Sequence, residues 1–439
     1  MFKQLWEWDM SGSRRRDVVV IGAGLAGLTA AWRLHRAGVD VQVLEAASTA
    51  GGRVHGEPTN AGRVLDTGAE FVGPGHHGLR GLLGELGLRT VPAGLDTSPI
   101  RWRLPDLTRT SRLPPIPRAD LWRLARGWWR LRRHALELDP GEPWRTPVGA
   151  RLDTVSLADW MRGHGVTPRG LQVTEALVGG FATTHTHSLS AAHAARWIAV
   201  AGGLVPALRS GHANVVAGGA YLIPQRLAER LGAVIRVNTQ VTGLAEHGRG
   251  VEVTTRSGAR WQAAAAVVAV PVPALRTLRL EPVPPPSWRT AVDALGYGQA
   301  TKVAAVAATA PPAEHRVVLG GSALAIAWRQ GRHFAGLATG PGFEPTTDLT
   351  EDLAAAFGLT TGDFSAAVVT NWTSRPHIGG SYLTYRPGQL AVHGPGLRAA
   401  GTRRVRYAGA DHSRWPNSME GAVHTGHVAA AALLADSSL

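Results

Sequence analysis

The sequence contains no cysteine among its 439 residues. This excludes disulfide bonds and thiolate metal sites, and it leaves the redox compartment undecided. Long apolar runs are missing as well, because no uninterrupted stretch reaches the ~20 residues that a helix needs to span a bilayer. With 44% hydrophobic and 18% charged residues, the composition is typical of a folded globular chain rather than a disordered one.

Acidic residues are scarce relative to basic ones, with 32 Asp and Glu against 46 Lys and Arg and a formal net charge of +14. Such an excess favours acidic partners, such as nucleic acid or an anionic membrane. The positive charge is mostly arginine scattered along the chain, however, and no recognised nucleic-acid-binding module accompanies it. We therefore predict no nucleic-acid partner.

Three histidines that lie close in sequence, His185, His187 and His193, suggest a metal site at first sight. No carboxylate or further histidine completes a known ligand spacing around them. The segment Ser188-Leu189-Ser190 is instead typical of the start of a helix. We predict no metal.

What the sequence does contain is a strand, a glycine-rich turn and a helix near its start. Val18 to Ile21 is a β-branched apolar run typical of a buried parallel strand. Gly22, Gly24 and Gly27 follow in G-x-G-x-x-G spacing, before an alanine-rich segment that reads as a helix. The first glycine permits a tight turn, the second lets the backbone approach a pyrophosphate, and the third allows close packing of helix on strand. The phosphates then lie at the helix N-terminus, which favours negative charge.

A second apolar run, Val39 to Leu44, is followed by Glu45, about twenty residues beyond the glycines, where a carboxylate can accept hydrogen bonds from ribose hydroxyls. Strand, glycines, helix, strand and acid together predict a dinucleotide-binding unit. Gly51-Gly52-Arg53-Val54 comes just after the acid. A flexible turn at that point can carry the Arg53 guanidinium toward the diphosphate or the ring system of the dinucleotide.

These motifs, with the segment from Leu65 to Pro74, resemble the flavin-containing amine oxidase family, whose cofactor is FAD. The resemblance covers nearly the whole chain, strongly at both ends and at Lys302, and weakly between about 90 and 210. It implies an α/β fold in which a GxGxxG Rossmann-like FAD-binding domain is joined to a discontinuous α+β substrate domain. The FAD-binding domain would comprise residues 15–75, 210–275 and 370–439, and the substrate-binding domain residues 76–209 and 276–369.

The resemblance also assigns site residues. Lys302 would be the catalytic lysine that holds a water against flavin N5, Trp372 would lie against the flavin, and Tyr382 would belong to an aromatic cage that aligns the substrate amine. A strand end at Asp411 and a helix N-terminus at Met419 would complete the flavin site. The expected cofactor-binding residues are Gly22, Gly24, Gly27, Glu45, Gly52, Arg53, Val241, Trp372, Asp411 and Met419.

Three positions depart from the family pattern. Ser381 stands where mammalian members have the flavin-linking cysteine, so FAD should be bound noncovalently. Asp411 replaces the usual glutamate and is one methylene shorter. Ser418 occupies the place of the second cage tyrosine, which leaves Tyr382 and Ser418 as the expected substrate-pocket residues and favours a bulkier or more polar substrate.

The reaction implied is oxidation of a carbon that bears an amine: FAD takes a hydride, the imine hydrolyses to a carbonyl compound, and oxygen is reduced to hydrogen peroxide. The partners would be a small-molecule amine and molecular oxygen. Two alternatives stay open within the superfamily: an L-amino-acid oxidase, which needs an arginine that clamps a carboxylate, and a C–C desaturase or dehydrogenase. A flavin-binding protein without turnover is an alternative of another class.

The sequence also bears on the cellular location and the oligomeric state of the protein. Arg14-Arg15-Arg16 before an apolar segment is similar to a twin-arginine signal peptide. Because that apolar segment is the glycine-rich unit itself, we expect the protein to be cytoplasmic. The segment from Val428 to Leu439 is short, and we expect no membrane tail of the kind some amine oxidases have. The sequence allows a homodimer and leaves the role of the first 16 residues undecided.

One stretch, from Leu121 to Arg133, is both basic and rich in tryptophan. We interpret it as a helix of the substrate domain, in which arginine stems cover apolar neighbours while their charged ends stay in water. A helix lying on a membrane surface is the alternative.

Overall fold

The structure is a computed structural model, and it describes residues 15–95, 98–210, 212–248, 250–310, 314–321, 323–340, 348–399 and 401–436. Most of the first 16 residues, whose role the sequence leaves undecided, lie outside the described residues. The helices are α1 (Leu25–Arg36), α2 (His77–Glu85), α3 (Arg118–Ala135), α4 (Pro147–Asp153), α5 (Leu157–Gly163), α6 (Pro168–Ala182), α7 (Ala191–Val200), α8 (Leu204–Ser210), α9 (Leu222–Leu231), α10 (Val272–Leu275), α11 (Pro286–Ala294), α12 (Leu349–Ala356), α13 (Gln389–Arg398) and α14 (Met419–Leu434).

The strands follow in chain order. They are β1 (Arg16–Ile21), β2 (Val41–Leu44), β3 (Gly56–Pro58), β4 (Val64–Asp66), β5 (Phe71–Val72), β6 (Thr90–Pro92), β7 (Ile100–Leu104), β8 (Leu107–Ser111), β9 (Asn214–Val216), β10 (Ile235–Arg236), β11 (Val241–His247), β12 (Gly250–Thr255), β13 (Arg260–Val268), β14 (Arg279–Glu281), β15 (Gly296–Tyr297), β16 (Ala300–Ala307), β17 (Val317–Leu319), β18 (Ile326–Gln330), β19 (His333–Thr339), β20 (Phe364–Asn371), β21 (Leu383–Thr384) and β22 (Val405–Tyr407). Short 3₁₀ turns lie at Pro143–Arg145, Gly232–Val234, Thr361–Asp363 and Ala410–His412.

The first large sheet has the strand order β10-β2-β1-β13-β12-β11-β14, with β22 paired to β13. Its central strands run parallel: Val20 of β1 lies beside Val43 of β2 and Val267 of β13, and all three side chains are fully buried. Strands buried on both faces read as continuous apolar runs, as these do. Because β1, β2, β13 and β22 are parallel, their carboxyl ends meet at one edge of the sheet, where Gly22 and Glu45 lie.

The second large sheet has the order β20-β16-β19-β18-β17-β7-β8. Every residue of β16 is buried, because this strand lies between β20 and β19 in the sheet. Leu65 of β4 packs against Ala304 and Val306 of β16. This contact brings the segment after β4 against the strand that carries Lys302.

Several predicted elements are confirmed. The run at Val18–Ile21 lies in β1, and the second apolar run forms β2 from Val41 to Leu44. Ser156 caps α5, since its Oγ accepts the Asp159 amide at 3.0 Å. Ser190 caps α7 in the same way, which confirms the helix start beside the histidines.

Strand β14 belongs to the first large sheet, and strand β20 belongs to the second. The predicted boundaries between the FAD-binding and substrate-binding domains, at residues 276 and 370, remain a prediction. None of the helices in the described ranges combines the length and the apolar composition required to cross a bilayer.

Candidate active site

The glycine-rich turn between β1 and α1 is shaped by two contacts that exclude larger residues. Gly22 has φ +100°, and a Cβ there would lie 2.9 Å from Ala269 O. A Cβ on Gly27 would lie 2.0 Å from Gly22 O, so this glycine is required for packing of helix on strand. At Gly24, by contrast, a Cβ would meet no atom of the described chain within 4 Å. The described protein atoms therefore leave space beside Gly24 in which a ligand could lie.

The segment from Gly51 to Arg53 lies directly against this turn. The Gly51 amide donates to Ala23 O at 2.9 Å, and a Cβ on Gly52 would lie 3.2 Å from Gly24 Cα. Glu45, which follows β2, accepts the Ala23 amide at 2.6 Å. The predicted acid and the predicted arginine turn are therefore both brought to the glycine-rich turn.

Val241 lies close in sequence to a residue that is hydrogen-bonded to Glu45. It begins β11, two residues after Thr239, whose amide donates to Glu45 O at 2.7 Å. The structure thus brings the start of β11 next to the acid at the end of β2.

Arg53 joins two further segments. Its Nη1 donates to Ser381 O at 2.7 Å, its Nη2 lies 3.5 Å from Asp411 Oδ1, and its Cζ lies 5.0 Å from the centre of the Tyr297 ring. Burial acts to lower the pKa of Arg53, but the neighbouring Tyr297 and Asp411 raise it, and the net direction is upward. The guanidinium is therefore a permanent cation that ties three distant segments together.

Asp411 is buried at the edge of the first sheet, and of its two oxygens only Oδ2 accepts hydrogen bonds from the described residues. Tyr297 Oη donates to Asp411 Oδ2, and burial raises the pKa of Tyr297 well above its ordinary value, so the tyrosine stays a neutral donor. Oδ1 accepts no hydrogen bond from the described residues, although the side chain is only 3% exposed. A buried carboxylate oxygen without a donor marks a place where a ligand hydroxyl fits.

Lys302, on β16, has its amine in a nearly closed pocket. Nζ donates to Glu70 Oε2 at 2.7 Å and to Gly68 O at 2.9 Å, and it lies 5.4 Å from the centre of the Trp328 ring. Trp328 Nε1 donates to the other oxygen of Glu70. The side chains of Lys302 and Glu70 are 3% and 12% exposed, so this is a buried ion pair.

Trp372 and Tyr382 lie on segments adjacent to that pair. The Trp372 amide donates to Ala300 O at 3.0 Å, and its indole Nε1 donates to Thr67 O at 2.8 Å. The Gly298 amide donates to Tyr382 O at 2.8 Å. Burial raises the pKa of the Tyr382 phenol; Arg53 opposes this rise and Glu70 adds to it, so both charged groups lie within electrostatic reach of Tyr382.

Ser418 and Met419 lie at the start of α14. Ser418 caps the helix, accepting the Gly421 amide at 3.0 Å and donating to Trp415 O at 3.1 Å. Met419 is the first helical residue, and it is buried. The hydroxyl of Ser418 is thus already engaged locally, and its assignment to the substrate pocket stays a prediction.

Comparison with known proteins assigns the chain to a family. The family described as flavin-containing amine oxidoreductase matches residues 25–343 and 344–434. This chain belongs to that family. It is 28% identical to an L-amino acid dehydrogenase of Synechocystis sp., over 97% of this chain and 96% of that protein. It is 25% identical to the flavin-containing amine oxidase B of Homo sapiens, over 96% and 86% of the two chains.

The fold agrees with solved structures as well. The structure of a wild-type putrescine oxidase bound to putrescine matches with a TM-score of 0.85 at 22% identity, over 96% of this chain and 99% of that chain. The α/β architecture of this flavin-containing amine oxidoreductase is therefore the amine oxidase fold. The predicted resemblance to the family is confirmed, and FAD is the cofactor.

The residues at the carboxyl edge of the first sheet fit that cofactor. Two features leave room for a ligand: the open space at Gly24, and Asp411 Oδ1, which accepts no hydrogen bond from the described residues and has the Arg53 ion pair at 3.5 Å. A diphosphate at the turn and a hydroxyl-bearing chain reaching Asp411 would account for both. With no cysteine in the chain, a cysteinyl–flavin bond is excluded.

Replacing Gly24 by alanine tests this fit directly. Because the new methyl group would meet no protein atom within 4 Å, the thermal stability of the FAD-free protein should stay unchanged. Affinity for FAD, measured by fluorescence titration, should fall at least about tenfold, since the methyl group would occupy the space left for the cofactor. In the control Gly27→Ala, the methyl group clashes with Gly22 O, so that the FAD-free protein itself should lose about 1–3 kcal/mol. Unaltered FAD affinity in Gly24→Ala would contradict the placement.

The histidines near α7 have ordinary structural partners. His185 Nδ1 lies 2.9 Å from Glu175 Oε1, and the His185 ring stacks on His187 at 5.2 Å. His193 is fully buried between Trp197 and Tyr385. Across the parts of the chain that the structure describes, no group of three or more potential ligands is arranged to hold a metal ion.

The buried His193 should make stability depend on pH. Burial, with a smaller contribution from the Arg196 charge, lowers the pKa of His193 from 6.5 to about 3. Because the pKa is lower in the folded state, the unfolded chain takes up the proton first, and stability falls as pH drops from about 6.5 toward 3. The variant His193→Leu should show a flatter fall of Tm over this range. Exposed His424, changed to leucine, is the matched control, and equal pH profiles for wild type and His193→Leu would refute the assignment.

Three site residues escape sequence reasoning: Glu70, Trp328 and Tyr297. Glu70 lies in the recognised segment from Leu65 to Pro74 and Tyr297 lies close to Lys302, whereas no sequence signal pointed to Trp328. The available signal for Glu70 was a single carboxylate inside the apolar segment from Gly68 to Val72. For Tyr297 it was only proximity in sequence to Lys302.

Proposed function

We propose that this flavin-containing amine oxidoreductase is an oxidase of small amines, converting a CH–NH or CH–NH2 group to an imine and releasing hydrogen peroxide. Bound FAD would supply the redox chemistry: it accepts a hydride, which carries two electrons, from the amine-bearing carbon, and the two electrons then pass to oxygen. The protein supplies binding, orientation and charge. The observation that carries the proposal is the buried amine of Lys302, paired with Glu70 beside the segments that meet the glycine-rich turn.

Composition strengthens the assignment of Lys302. The chain has only two lysines, Lys3 and Lys302, among 46 basic residues. Arginine is therefore the cation at nearly every other basic position, and the lysine that the structure describes, Lys302, is buried. An ammonium is compact and can hand over a proton, whereas a guanidinium keeps its proton and needs a planar space. We assign Lys302 the task of holding a proton and a water where oxygen is reduced.

The remaining residues would bind and orient. Gly22, Gly24, Gly27 and Gly52 would accommodate the diphosphate, and Glu45 the ribose, with Val241 near the adenine. Arg53, Asp411 and Met419 would surround the ribityl and ring portions. This assignment supports a Rossmann-like FAD-binding domain built from residues 15–75, 210–275 and 370–439, beside a discontinuous substrate domain.

Trp372 and Tyr382 would form the wall that aligns the substrate amine. Because burial raises the pKa of Tyr382, the phenol remains neutral at alkaline pH and presents a polar edge rather than a charge. Only a neutral amine has its nitrogen lone pair available, so we expect the rate to rise with pH through the pKa of the bound amine. Ser418 would widen the space opposite Tyr382.

Oxidation of L-amino acids is the second candidate, favoured by the 28% identity to an L-amino acid dehydrogenase. It requires a guanidinium free to bind the substrate carboxylate. Among the described residues, Arg53 is an arginine within electrostatic reach of Tyr382, and it is already engaged by Asp411 and by Ser381 O. We therefore favour an amine without a carboxylate. Noncovalent FAD, a cytoplasmic location and a homodimer complete the proposal.

A substrate panel separates the candidates. The purified protein is assayed with aliphatic and aromatic monoamines, diamines and L-amino acids, both for peroxide release in air and for reduction of an artificial dye without oxygen. Amine-dependent peroxide that increases with pH supports the proposal. Turnover of L-amino acids alone supports the second candidate, and dye reduction without peroxide would show a dehydrogenase.

A further inference from the structure

The outward face of α3 carries an alternation of arginine and tryptophan that the proposed function leaves unused. Trp122, Arg126, Trp129 and Arg133 are spaced by four, three and four residues, which places them along one face of the helix. We call these four residues the arginine–tryptophan face. The two tryptophans are 62% and 52% exposed, although large aromatic side chains normally bury most of their surface.

The rest of α3 is firmly packed, so this exposure is not the result of a loosely attached helix. Leu124, Leu131 and Ala135 are buried on the opposite side. Gly127 lies on that buried side, where a Cβ would come 2.8 Å from Val166 Cγ2. The glycine thus lets α3 pack closely against α5 and the segment that joins it to α6, and the helix presents its tryptophans from a fixed position.

The charge on this face has one sign. α3 carries six arginines and one aspartate, and Asp120 is paired with Arg123 at 3.5 Å. The guanidinium carbons of Arg126 and Arg133 lie 5.4 Å and 5.1 Å from the ring centres of Trp122 and Trp129. Each exposed aromatic ring is therefore accompanied by a cation that it helps to position.

Apolar surface continues from α3 onto α8. Val205 and Leu208 are 60% and 47% exposed, and a groove of about 500 Å³ lies between the two helices. Trp129, Leu121 and Val205 are among its lining residues. The surface therefore combines aromatic rings, arginines and an adjoining apolar groove.

We infer that the arginine–tryptophan face, together with Val205 and Leu208, binds the anionic surface of a phospholipid bilayer. Tryptophan rings are favoured at the level of the lipid headgroups, and arginines beside them attract anionic phosphates. A helix with a basic polar face and exposed aromatics lies in the plane of the interface. The groove would accept part of an acyl chain.

A second copy of this chain suits the face less well. In a symmetric dimer the same patch would meet itself, which brings the arginines of α3 against those of its partner. Like charges facing one another across an interface cost binding energy. An anionic bilayer instead complements every arginine of the face.

The test is co-sedimentation of the FAD-loaded protein with vesicles. Vesicles of phosphatidylcholine alone are compared with vesicles that also contain phosphatidylglycerol, at low and at high salt. Binding is expected only with the anionic lipid, and it should weaken as salt rises. Arg126→Gln/Arg133→Gln and Trp122→Ser/Trp129→Ser should each lower the partition coefficient at least about tenfold.

Matched controls distinguish binding through this surface from a general effect of positive charge or of exposed apolar side chains. Arg226→Gln/Arg289→Gln removes the same charge from exposed positions on α9 and α11, and Val283→Ser/Val392→Ser removes exposed apolar groups elsewhere. Both should bind vesicles as the wild type does. FAD content and amine turnover in solution should be equal in all variants, which confirms that each is folded.

Equal sedimentation with neutral and anionic vesicles, or wild-type partitioning by both α3 variants, would overturn the inference. Control variants that weaken vesicle binding as much as the α3 variants do would also overturn it. Binding to a DNA oligonucleotide through the same residues without vesicle binding, or a dimer in ultracentrifugation that Trp122→Ser/Trp129→Ser dissociates, would assign the face to another partner.

Discussion

Replacing Lys302 by methionine is expected to slow the reoxidation of the reduced flavin by oxygen about 100-fold, which is the scale of loss when one positioned charge is removed from a site of developing negative charge. Methionine keeps the length and most of the volume of the side chain but carries no proton and no charge. Because Lys302 contacts Glu70 and Gly68 O rather than the glycine-rich turn, FAD should remain bound.

The measurement is stopped-flow mixing of anaerobically reduced protein with oxygenated buffer, followed by the return of flavin absorbance. Reduction by amine under anaerobic conditions is recorded separately, and it should change much less. Lys3→Met removes the only other lysine and should react with oxygen as the wild type does. Reoxidation at the wild-type rate in Lys302→Met would remove the role assigned to this residue.

The second large effect concerns stability and the pairing of Glu70 with Lys302. Glu70→Gln should lower the free energy of unfolding by about 3–5 kcal/mol, because it leaves a buried cation without its counter-charge. Removing both charges, in Glu70→Gln/Lys302→Met, should restore most of that loss, since no buried charge then remains. Trp328 Nε1 can still donate to the glutamine oxygen, so the comparison isolates the charge.

Denaturant titration of the wild type, Glu70→Gln, Lys302→Met and the double variant gives the interaction energy between Glu70 and Lys302. The exposed pair of Glu229 with Arg226 is the control, and Glu229→Gln should change stability little, because exposed ion pairs are screened by water. A double variant that is less stable than Glu70→Gln by the full cost of Lys302→Met would show that the two residues act independently, contrary to the 2.7 Å contact.

The local parts of this site were predictable from the sequence. Gly22, Gly24 and Gly27 are tied to one turn by their spacing, and Glu45 follows the next apolar run, so short-range pattern alone places them together. Helix caps such as Ser156 were predictable for the same reason. Lys302 and Trp372 were found through resemblance to a family rather than through any local pattern.

The contacts that complete the site join residues far apart in the chain. Glu70 and Lys302 are 232 positions apart, and Tyr297 and Asp411 are 114 apart. Periodicity and turn residues specify elements, whereas the pairing of β16 with β19 and β20 decides which segment faces Glu70. The exposure of Trp122 is a further case, because the sequence predicts a helix at 121–133 but cannot tell which of its tryptophans packs inside.

The most direct test of the account is a single turnover followed by the colour of the bound flavin. The purified protein is made anaerobic, mixed with an amine from the panel, and then exposed to oxygen. We expect the yellow band to bleach on addition of the amine and to return with oxygen, with one hydrogen peroxide formed per imine. A yellow protein that no amine bleaches, or a colourless protein that takes up no FAD, would contradict the assignment of this chain as an amine oxidase.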